Sequence, residues 1–354
     1  EEWRLEQLNI GHLDIQFVAK DEAANYSTHT SLPPSPQNFL EKLLPRRFSI
    51  GNLHIENANL KTKAGQLRST VLEAKPDGRG WIINGQRGKL LLQDRPELQV
   101  KSYRARITRG TLYLTSSEFT LAEDGKITLS GEVETNPQKL DFRVNFEQVP
   151  SHTIFPERLK QYLTGKVRGE MNIKQRSDGS VSDNQLSGTF FLNDGTLSGL
   201  PVLNQLAAFT DTPQFKRMTI QEVSGNFEKN AQELRVRNFV LESKGLLRVE
   251  GNYSISDKEE ILGDLNVGLT KQTLRWIPGS RERVFTEERD GYMWAPVRVS
   301  GNVNSPKEDL SSRLAAAAGS ATIESGVKTL ESAPEVIKSG VDTAIDIFRP
   351  LLNP

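Results

Sequence analysis

The stretch QEVSGNFEKNAQELRVRNFVLESKGLLRVEGNYSI, residues 221–255, decides the fold class of this chain. Apolar and polar residues alternate along it, which is the pattern of β-strands with one buried face. A short pattern occurs in it twice, at residues 223–227 (VSGNF) and 249–253 (VEGNY). The central glycine of each pattern belongs to the apolar face. Strand interiors normally avoid glycine there, because it costs chain entropy and adds nothing to packing.

The same spacing of apolar residue, glycine and apolar residue recurs along the chain, and we consider six of its occurrences. Their glycines are Gly131, Gly169, Gly188, Gly225, Gly251 and Gly301. Two interpretations stay open and are compatible with each other. The glycines relieve strain where a sheet coils or bulges, or they let a ligand approach the backbone along the apolar face.

Strand patterns run from Leu5 to about Val303, with about sixteen strands separated by turn signals such as Asp124-Gly125 and Asp194-Gly195. Short turns between successive strands predict antiparallel pairing. A sheet of this size rarely stays open without curling or splitting. Helical patterns are too few to cover its apolar side. The sequence therefore predicts a mainly β fold, an elongated and strongly curled antiparallel sheet. Its apolar face either closes as a sandwich or barrel or leaves a groove for a ligand.

Helical patterns are confined to short stretches at 155–163 and 200–209 and to the end of the chain. There, Leu310, Leu314 and a series of later apolar residues have the spacing of amphipathic helices. These later residues are Ile323, Val327, Leu330, Val336, Val341, Ile345 and Phe348. We therefore divide the chain into a β domain, 1–306, and an amphipathic helical tail, 307–354. The tail must bury its apolar stripe on the end of the groove, on a partner protein or on a membrane, and its few basic residues make the membrane the weakest of these.

The composition limits the partners and the chemistry of the chain. It has 36% apolar and 25% charged residues, with 45 basic and 45 acidic groups. This balance gives no electrostatic reason to expect a nucleic-acid partner. Cysteine is absent, which excludes disulfides and thiolate metal sites. No stretch has the roughly 18–20 apolar residues that span a bilayer. Because the chain begins at Glu1 without Met, we expect a processed or trimmed amino end that carried a signal or anchor.

Catalytic and metal-binding patterns are also missing from the sequence. The histidines lack metal-ligand spacing; they are His12, His29, His54 and His152. Residues 195–199 (GTLSG) have serine at the wrong offset for a nucleophile elbow. We therefore expect neither an enzyme nor a cofactor or metal site. The aromatic residues Trp276, Tyr292 and Trp294 are expected to pack in the core at the end of the sheet or to mark a membrane interface.

The stretch from about Leu186 to Pro306 resembles the carboxy-terminal region of AsmA-like proteins. The likeness lies in an ordered succession of three segments, LSGTFFLNDGTLSGLPVLNQLAAF (186–209), VSGNFEKNAQELRVRNFVLESKGLLRVEGNYSI (223–255) and APVRVSGNVNSPK (295–307). Residues 55–61 (IENANLK) and 119–133 (FTLAEDGKITLSGEV) resemble earlier strand units of the family. The resemblance implies a taco-shaped β-groove, a periplasmic location and an inner-membrane anchor at the amino end, which we expect to have been cleaved or trimmed. It also implies a role in carrying lipid between membranes or in outer-membrane assembly.

The sequence and this resemblance together predict a non-enzymatic periplasmic protein of cell-envelope biogenesis that holds phospholipid acyl chains. Exposing a chain of about 16 carbons to water costs on the order of 12 kcal/mol, which an apolar groove removes without bond chemistry. The predicted groove-lining residues flank the six glycines: Leu129, Val133, Val167, Met171, Phe190, Val223, Phe227, Val249, Tyr253, Val299 and Val303. Their polar neighbours are expected to face solvent, namely Lys166, Arg168, Glu170, Asn226 and Glu250. The alternative is a structural or assembly protein of the envelope that docks onto partner proteins, through its strands or its tail, without binding lipid.

Overall fold

The computed structural model describes residues 2–16, 47–62, 65–92, 96–121, 124–135, 138–154, 162–177, 182–198, 213–275, 279–302, 305–310, 312–314, 316 and 317. Most of these residues lie in β-strands, which confirms the mainly β fold. The chain forms two compact units, Glu1–Val144 with Arg176–Ser180 (unit 1) and Asn145–Gln175 with Val181–Pro354 (unit 2). The division falls inside the segment 1–306, which the sequence analysis treats as one domain.

Unit 1 is built from long strands joined by short turns. These are β1 (Glu2–Gln16), β2 (Arg47–Lys61), β3 (Gly65–Asp77), β4 (Gly80–Gln86), β5 (Lys89–Leu92), β6 (Leu98–Thr108), β7 (Thr111–Leu121) and β8 (Gly125–Thr135). The next strand, β9 (Gln138–Pro150), has residues in both units. The pairs β2–β3, β3–β4, β4–β6, β6–β7 and β7–β8 are antiparallel, and β5 pairs with β3 and β6.

The first strand pair departs from the predicted antiparallel order. β1 and β2 are parallel, with Leu5 opposite Ile50 and Ile10 opposite Ile55. A prediction of only antiparallel pairs was therefore wrong at this position. The reason is the length of the connection, because residues 17–46 separate these two strands and a parallel pair needs a connection of a dozen residues or more.

Unit 2 contains both copies of the glycine pattern at residues 223–227 and 249–253. Its strands are β10 (Leu163–Ser177, whose last two residues belong to unit 1), β11 (Ser182–Ser198), β12 (Arg217–Lys229), β13 (Glu233–Ser243), β14 (Leu247–Ser256), β15 (Glu260–Leu269), β16 (Glu287–Arg289), β17 (Tyr292–Asn302) and β18 (Ser305–Glu308). Antiparallel pairing links β11 through β15 in sequence order and then β15 to β17, which also pairs with β16 and β18. The helical elements within its described residues include α1 (Ser151–Ile154), a 3₁₀ turn (Pro213–Lys216), α2 (Lys271–Leu274) and α3 (Ser280–Arg283).

The short helical segments of unit 2 cover one face of its sheet. Leu274 of α2 and Phe285, just after α3, are buried in one core with Val223 and Val249 from the strands. We call the sheet face that carries these two valines the inner face of unit 2. The alternation of apolar and polar residues thus has a direct cause, since only every second side chain of a strand can reach this core.

The beginning of the predicted tail belongs to the same core. Leu310 and Leu314 lie in helical residues and are buried in the core that also holds Val297. The Arg298 backbone N–H donates to an Asp309 carboxylate oxygen at 2.9 Å, and the Arg313 guanidinium donates to the Pro296 carbonyl at 2.5 Å. These contacts fix the first turn of the tail on β17. The later tail residues, from Ile323 to Phe348, lie outside the described residues.

A charged network lies on the opposite, outer face of β13, β14 and β17. The Arg248 guanidinium donates to Glu250 at 2.7 Å and to Glu242 at 3.0 Å, and the Arg289 guanidinium donates to the second Glu250 oxygen at 2.7 Å. The Tyr292 hydroxyl lies 3.1 Å from Glu242. Partial burial alone would raise the pKa of Glu250, but the hydrogen bonds from Arg248 and Arg289 outweigh it and lower that pKa.

The lowered pKa of Glu250 predicts a defined pH dependence of stability. The folded state favours the carboxylate, so its contribution is present above the unfolded value near 4.5 and is lost as pH falls through the lower folded value. We expect Glu250→Gln to reduce the free energy of unfolding by roughly 1 kcal/mol at pH 7, given solvent screening of a partly exposed group. The difference from the unmodified protein should shrink below pH 4.5. Chemical denaturation from pH 3 to pH 8 measures it, and the exposed Glu287→Gln serves as control. A difference that stays constant over this pH range would contradict the assignment.

Candidate functional site

The inner face of unit 2 is closed at one end of its strands. Residues at this end have almost no exposed surface, since Ile220 and Ala295 are 0% exposed and Leu192 and Leu197 are 1% exposed. Leu192 lies directly opposite Val223, which is also buried. The covering helical segments and the sheet therefore form a dry, filled core at this end.

Toward the other end of β10 to β13, the same face becomes half-exposed. The residues involved are Met171, Ile173, Leu186, Phe190, Phe227 and Leu234, which we call the open strip. Phe190 lies opposite Gly225, and Phe227 lies opposite Gly188, so the strip continues from strand to strand in register. The Phe190 and Phe227 rings are 6.5 Å apart between centroids and pack against the edge of the buried core. The open strip is thus an apolar surface next to a core, and it retains access to solvent.

Unit 1 carries a comparable row of apolar residues on one face of its sheet. Trp81 lies opposite Ile107, Ile107 opposite Leu112, and Leu112 opposite Val133, on four neighbouring strands. Ile107 is 41% exposed, and the other three are half-buried. The part of unit 1 that the structure describes contains no helix over this row. A smaller core, formed by Ile55, Ala58, Leu72 and Ala74, lies on β2 and β3.

The structure divides the predicted lining residues into two groups. Leu129 and Val133 of unit 1 and Met171, Phe190 and Phe227 of unit 2 are half-buried and remain accessible. The others are buried among the protein's own side chains, at 2–6% exposure, and do not face an open groove; they are Val167, Val223, Val249, Tyr253 and Val299. They share one core with Leu274 and Phe285, which the sequence patterns did not place over this face, and with Leu310 of the tail, for which the end of the groove was one of the expected destinations. Val303 lies outside the described residues.

The polar neighbours of these residues show the predicted alternation. Lys166, Arg168, Glu170 and Asn226 are exposed, and Glu250 is partly exposed within the charged network of the outer face. The period of two therefore holds along β10, β12 and β14. Contact of the inner face with lipid stays a prediction.

The glycines of the pattern lie where neighbouring strands fill the space that a side chain would need. A Cβ on Gly225 would come within 3.0 Å of the Phe190 ring, and one on Gly169 within 2.8 Å of the Phe146 ring. A Cβ on Gly131 would lie 2.6 Å from the Phe142 ring. Aromatic side chains that cover a glycine on the adjacent strand compensate for its missing packing. A ring therefore lies beside each of these three glycines, and at Gly131 and Gly169 a backbone carbonyl oxygen lies nearer still to the Cβ position.

Backbone geometry explains other members of the pattern. Gly251 has a φ of 149°, and it lies opposite Phe239, next to a register shift between β13 and β14. A side chain there would meet the Asp264 carbonyl of β15. At Gly188 a Cβ would overlap the Glu170 carbonyl oxygen, and Gly301 has a φ of 95°. These observations support the interpretation that the glycines permit curvature and bulges.

The sequence pattern missed two glycines with the same relation to an aromatic ring. The Tyr103 ring occupies the space beside Gly85, and the Trp294 ring lies 3.0 Å from where a Cβ of Gly268 would be. Neither glycine has apolar residues two positions before and two positions after it, so neither fits the sequence pattern. A search that paired each glycine with aromatic residues on the adjacent strand would have found them.

The aromatic residues near the end of the sheet are part of the packed structure. Tyr292 and Trp294 are 5% and 3% exposed, and their rings make an edge contact with centroids 6.0 Å apart. The Arg289 guanidinium lies 4.5 Å from the centre of the Trp294 ring, and the indole N–H donates to the Arg289 carbonyl at 2.9 Å. Both residues are therefore buried on the outer face, against Glu242 and Arg289, and neither belongs to the core of the inner face. Trp276 lies outside the described residues.

The described residues offer no obvious centre for chemistry. They contain no group of three or more His, Asp or Glu side chains that could hold a metal ion. His12 contacts Asp14 at 2.9 Å and His54 lies 3.6 Å from Glu73, both near the solvent. The helices that the structure describes are too short or too polar to cross a membrane.

The contacts at Gly169 predict that its role is packing. Gly169→Ala would place a methyl group against the Phe146 ring and the Thr189 carbonyl, and we expect the free energy of unfolding to fall by roughly 1–3 kcal/mol. Gly11→Ala is the control, because a Cβ at this exposed strand glycine meets no atom within 4 Å. Urea denaturation followed by circular dichroism measures both variants. Equal stability of the two would show that the aromatic cover does not constrain position 169.

Comparison of the chain with models of known protein families, with characterised proteins and with solved structures gave no significant match.

Proposed function

We propose that this protein is a non-enzymatic binder of acyl lipids, and that the open strip of unit 2 holds the acyl chain. The supporting observation is the half-exposed state of six apolar residues on four neighbouring strands, beside a buried core. Apolar patches of this kind on a protein surface mark sites of interaction. A charged side chain borders the strip on the same face, since Lys229 lies opposite both Leu186 and Leu234.

The chemistry of the strip favours a ligand that is apolar along its length. Strands lie about 4.8 Å apart, so a surface that crosses β10 to β13 is roughly 14 Å wide. Burying about eight methylene groups on it would contribute roughly 6 kcal/mol before the entropic cost of binding. Such a surface distinguishes ligands by volume and length, with little selectivity for the headgroup. The apolar row of unit 1, around Ile107, is a second surface of the same type.

The cellular setting is proposed from the sequence resemblance alone. The succession of segments between Leu186 and Pro306 resembles AsmA-like proteins, for which a periplasmic location and an inner-membrane anchor are expected. On this basis the ligand is a phospholipid acyl chain, and the process is biogenesis of the cell envelope. A fatty acid or another acyl lipid is also compatible with this apolar surface.

A structural or assembly role is the second candidate. The observation that favours it is the extent to which the protein fills its own interior, with Phe285 at 0% and Leu274 at 1% exposure beneath the sheet. In this case the open strip docks a partner protein, and no lipid occupies it.

A charged substitution in the open strip distinguishes lipid binding from docking of a partner protein. We expect Phe227→Glu to reduce the lipid that co-purifies with the protein by about tenfold or more, because an unpaired carboxylate beside an acyl chain costs more than the equivalent 1.4 kcal/mol. Phe191→Glu is a matched control, since Phe191 is 36% exposed on the opposite face, near Arg168. Native mass spectrometry of gently purified protein gives the occupancy of each variant. Absence of lipid from the unmodified protein, or equal loss in both variants, would reject lipid binding at the strip.

A further inference from the structure

A cavity opens at the ends of the unit 2 strands that lie away from the open strip, where β13 turns into β14. Its volume is about 370 Å³, and its wall includes Arg217 at the start of β12 and Lys244 in the turn. No carboxylate lines it. Within the described residues, neither cation is paired with a carboxylate. A wall with two cations and no carboxylate favours an anionic ligand.

Hydrogen bonds fix the backbone of the turn that carries Lys244. The Lys244 backbone N–H donates to the Gln221 side-chain oxygen at 2.6 Å, and the Ser243 hydroxyl donates to the Thr219 carbonyl at 3.0 Å. Both bonds tie the turn to β12, the strand that begins with Arg217. Because the Gln221 oxygen is already occupied, its NH₂ group remains as a donor in the cavity wall.

A cavity of nearly equal size at the opposite strand ends has the reverse charge. It measures about 340 Å³ and is lined by Glu233, Asp257 and Glu259, with Lys229 as its one cation. It also includes Leu234 of the open strip. The absence of carboxylates around Arg217 and Lys244 is thus particular to one end of the unit.

We propose that the cavity around Arg217 and Lys244 binds a phosphate group. An arginine fork and a lysine point charge are the two side chains that recognise phosphate in proteins, through charge-assisted hydrogen bonds. The volume exceeds that of a lone phosphate, so an esterified group has room beside it. The phosphate is carried either by a small soluble ester or by a lipid headgroup. The inference depends on this cavity and stands whether or not the open strip holds acyl chains.

The test is a titration of the full chain with inorganic phosphate at low ionic strength, followed by isothermal calorimetry and by amide shifts. We expect the double variant Arg217→Gln/Lys244→Gln to bind at least about tenfold more weakly, the usual effect of losing charge-assisted hydrogen bonds. Lys258→Gln/Arg281→Gln is the matched control, because it removes one exposed lysine and one exposed arginine outside the cavity. Lys244→Gln alone provides a variant with minimal effect on folding, and unfolding curves check each protein.

Two further ligands distinguish the sources of the phosphate. Tighter binding of glycerol 3-phosphate than of inorganic phosphate, without further gain for dihexanoyl phosphatidic acid, supports a soluble ester. Tighter binding of the phosphatidic acid than of glycerol 3-phosphate, lost in the double variant, supports a lipid headgroup. Absence of binding by inorganic phosphate and both esters, or binding that the double variant leaves unchanged, would overturn the inference. Neither result depends on the lipid occupancy measured for Phe227→Glu.

Discussion

The structure depends on one constraint: the apolar face of a long sheet must be shielded from water. Successive side chains of a strand point to opposite faces of the sheet, and most of the described residues of this chain lie in strands. In unit 2, short helical segments from two connections and the start of the tail supply the cover, and their residues Phe215, Leu274, Phe285 and Leu310 share one core. That cover reaches only part of the face. The open strip is what remains where the cover ends, and it is therefore the natural place for a ligand or partner.

The glycines serve the same constraint from inside the sheet. Where Phe146 and Phe190 lie across Gly169 and Gly225, the ring of one strand supplies the packing that the glycine of the next strand lacks. Where Gly251 has a positive φ beside a register shift, the glycine permits a bulge. Both effects let neighbouring strands approach closely. Phe190, whose ring covers Gly225, also belongs to the open strip, so glycine packing and the apolar surface share this residue.

Much of the fold could be predicted from the sequence, because its determinants are local. Alternation of apolar and polar residues at 223–227 and 249–253 predicts strands, and the turns predict antiparallel neighbours. The parallel pairing of β1 with β2 could not be predicted from short-range signals, since it joins segments separated by residues 17–46. The burial of Val249 and Tyr253 depends on contacts from α2 and from the residues after α3, which are distant in sequence. The positive charge of the cavity likewise arises because pairing brings Arg217, at the start of β12, near Lys244, just after β13. The chemical function of the open strip remains a proposal, because half-exposure shows where a ligand can bind without naming it.

Photo-crosslinking tests the central claim most directly. A phospholipid with a diazirine in its acyl chain would be bound to the full protein and irradiated, and the modified peptides mapped by mass spectrometry. The account predicts adducts on residues of the open strip, above all Met171 and Phe227, with none on the outward Phe191. Adducts spread equally over both faces of the sheet, or no adducts at all, would contradict the proposal that the uncovered apolar face holds lipid.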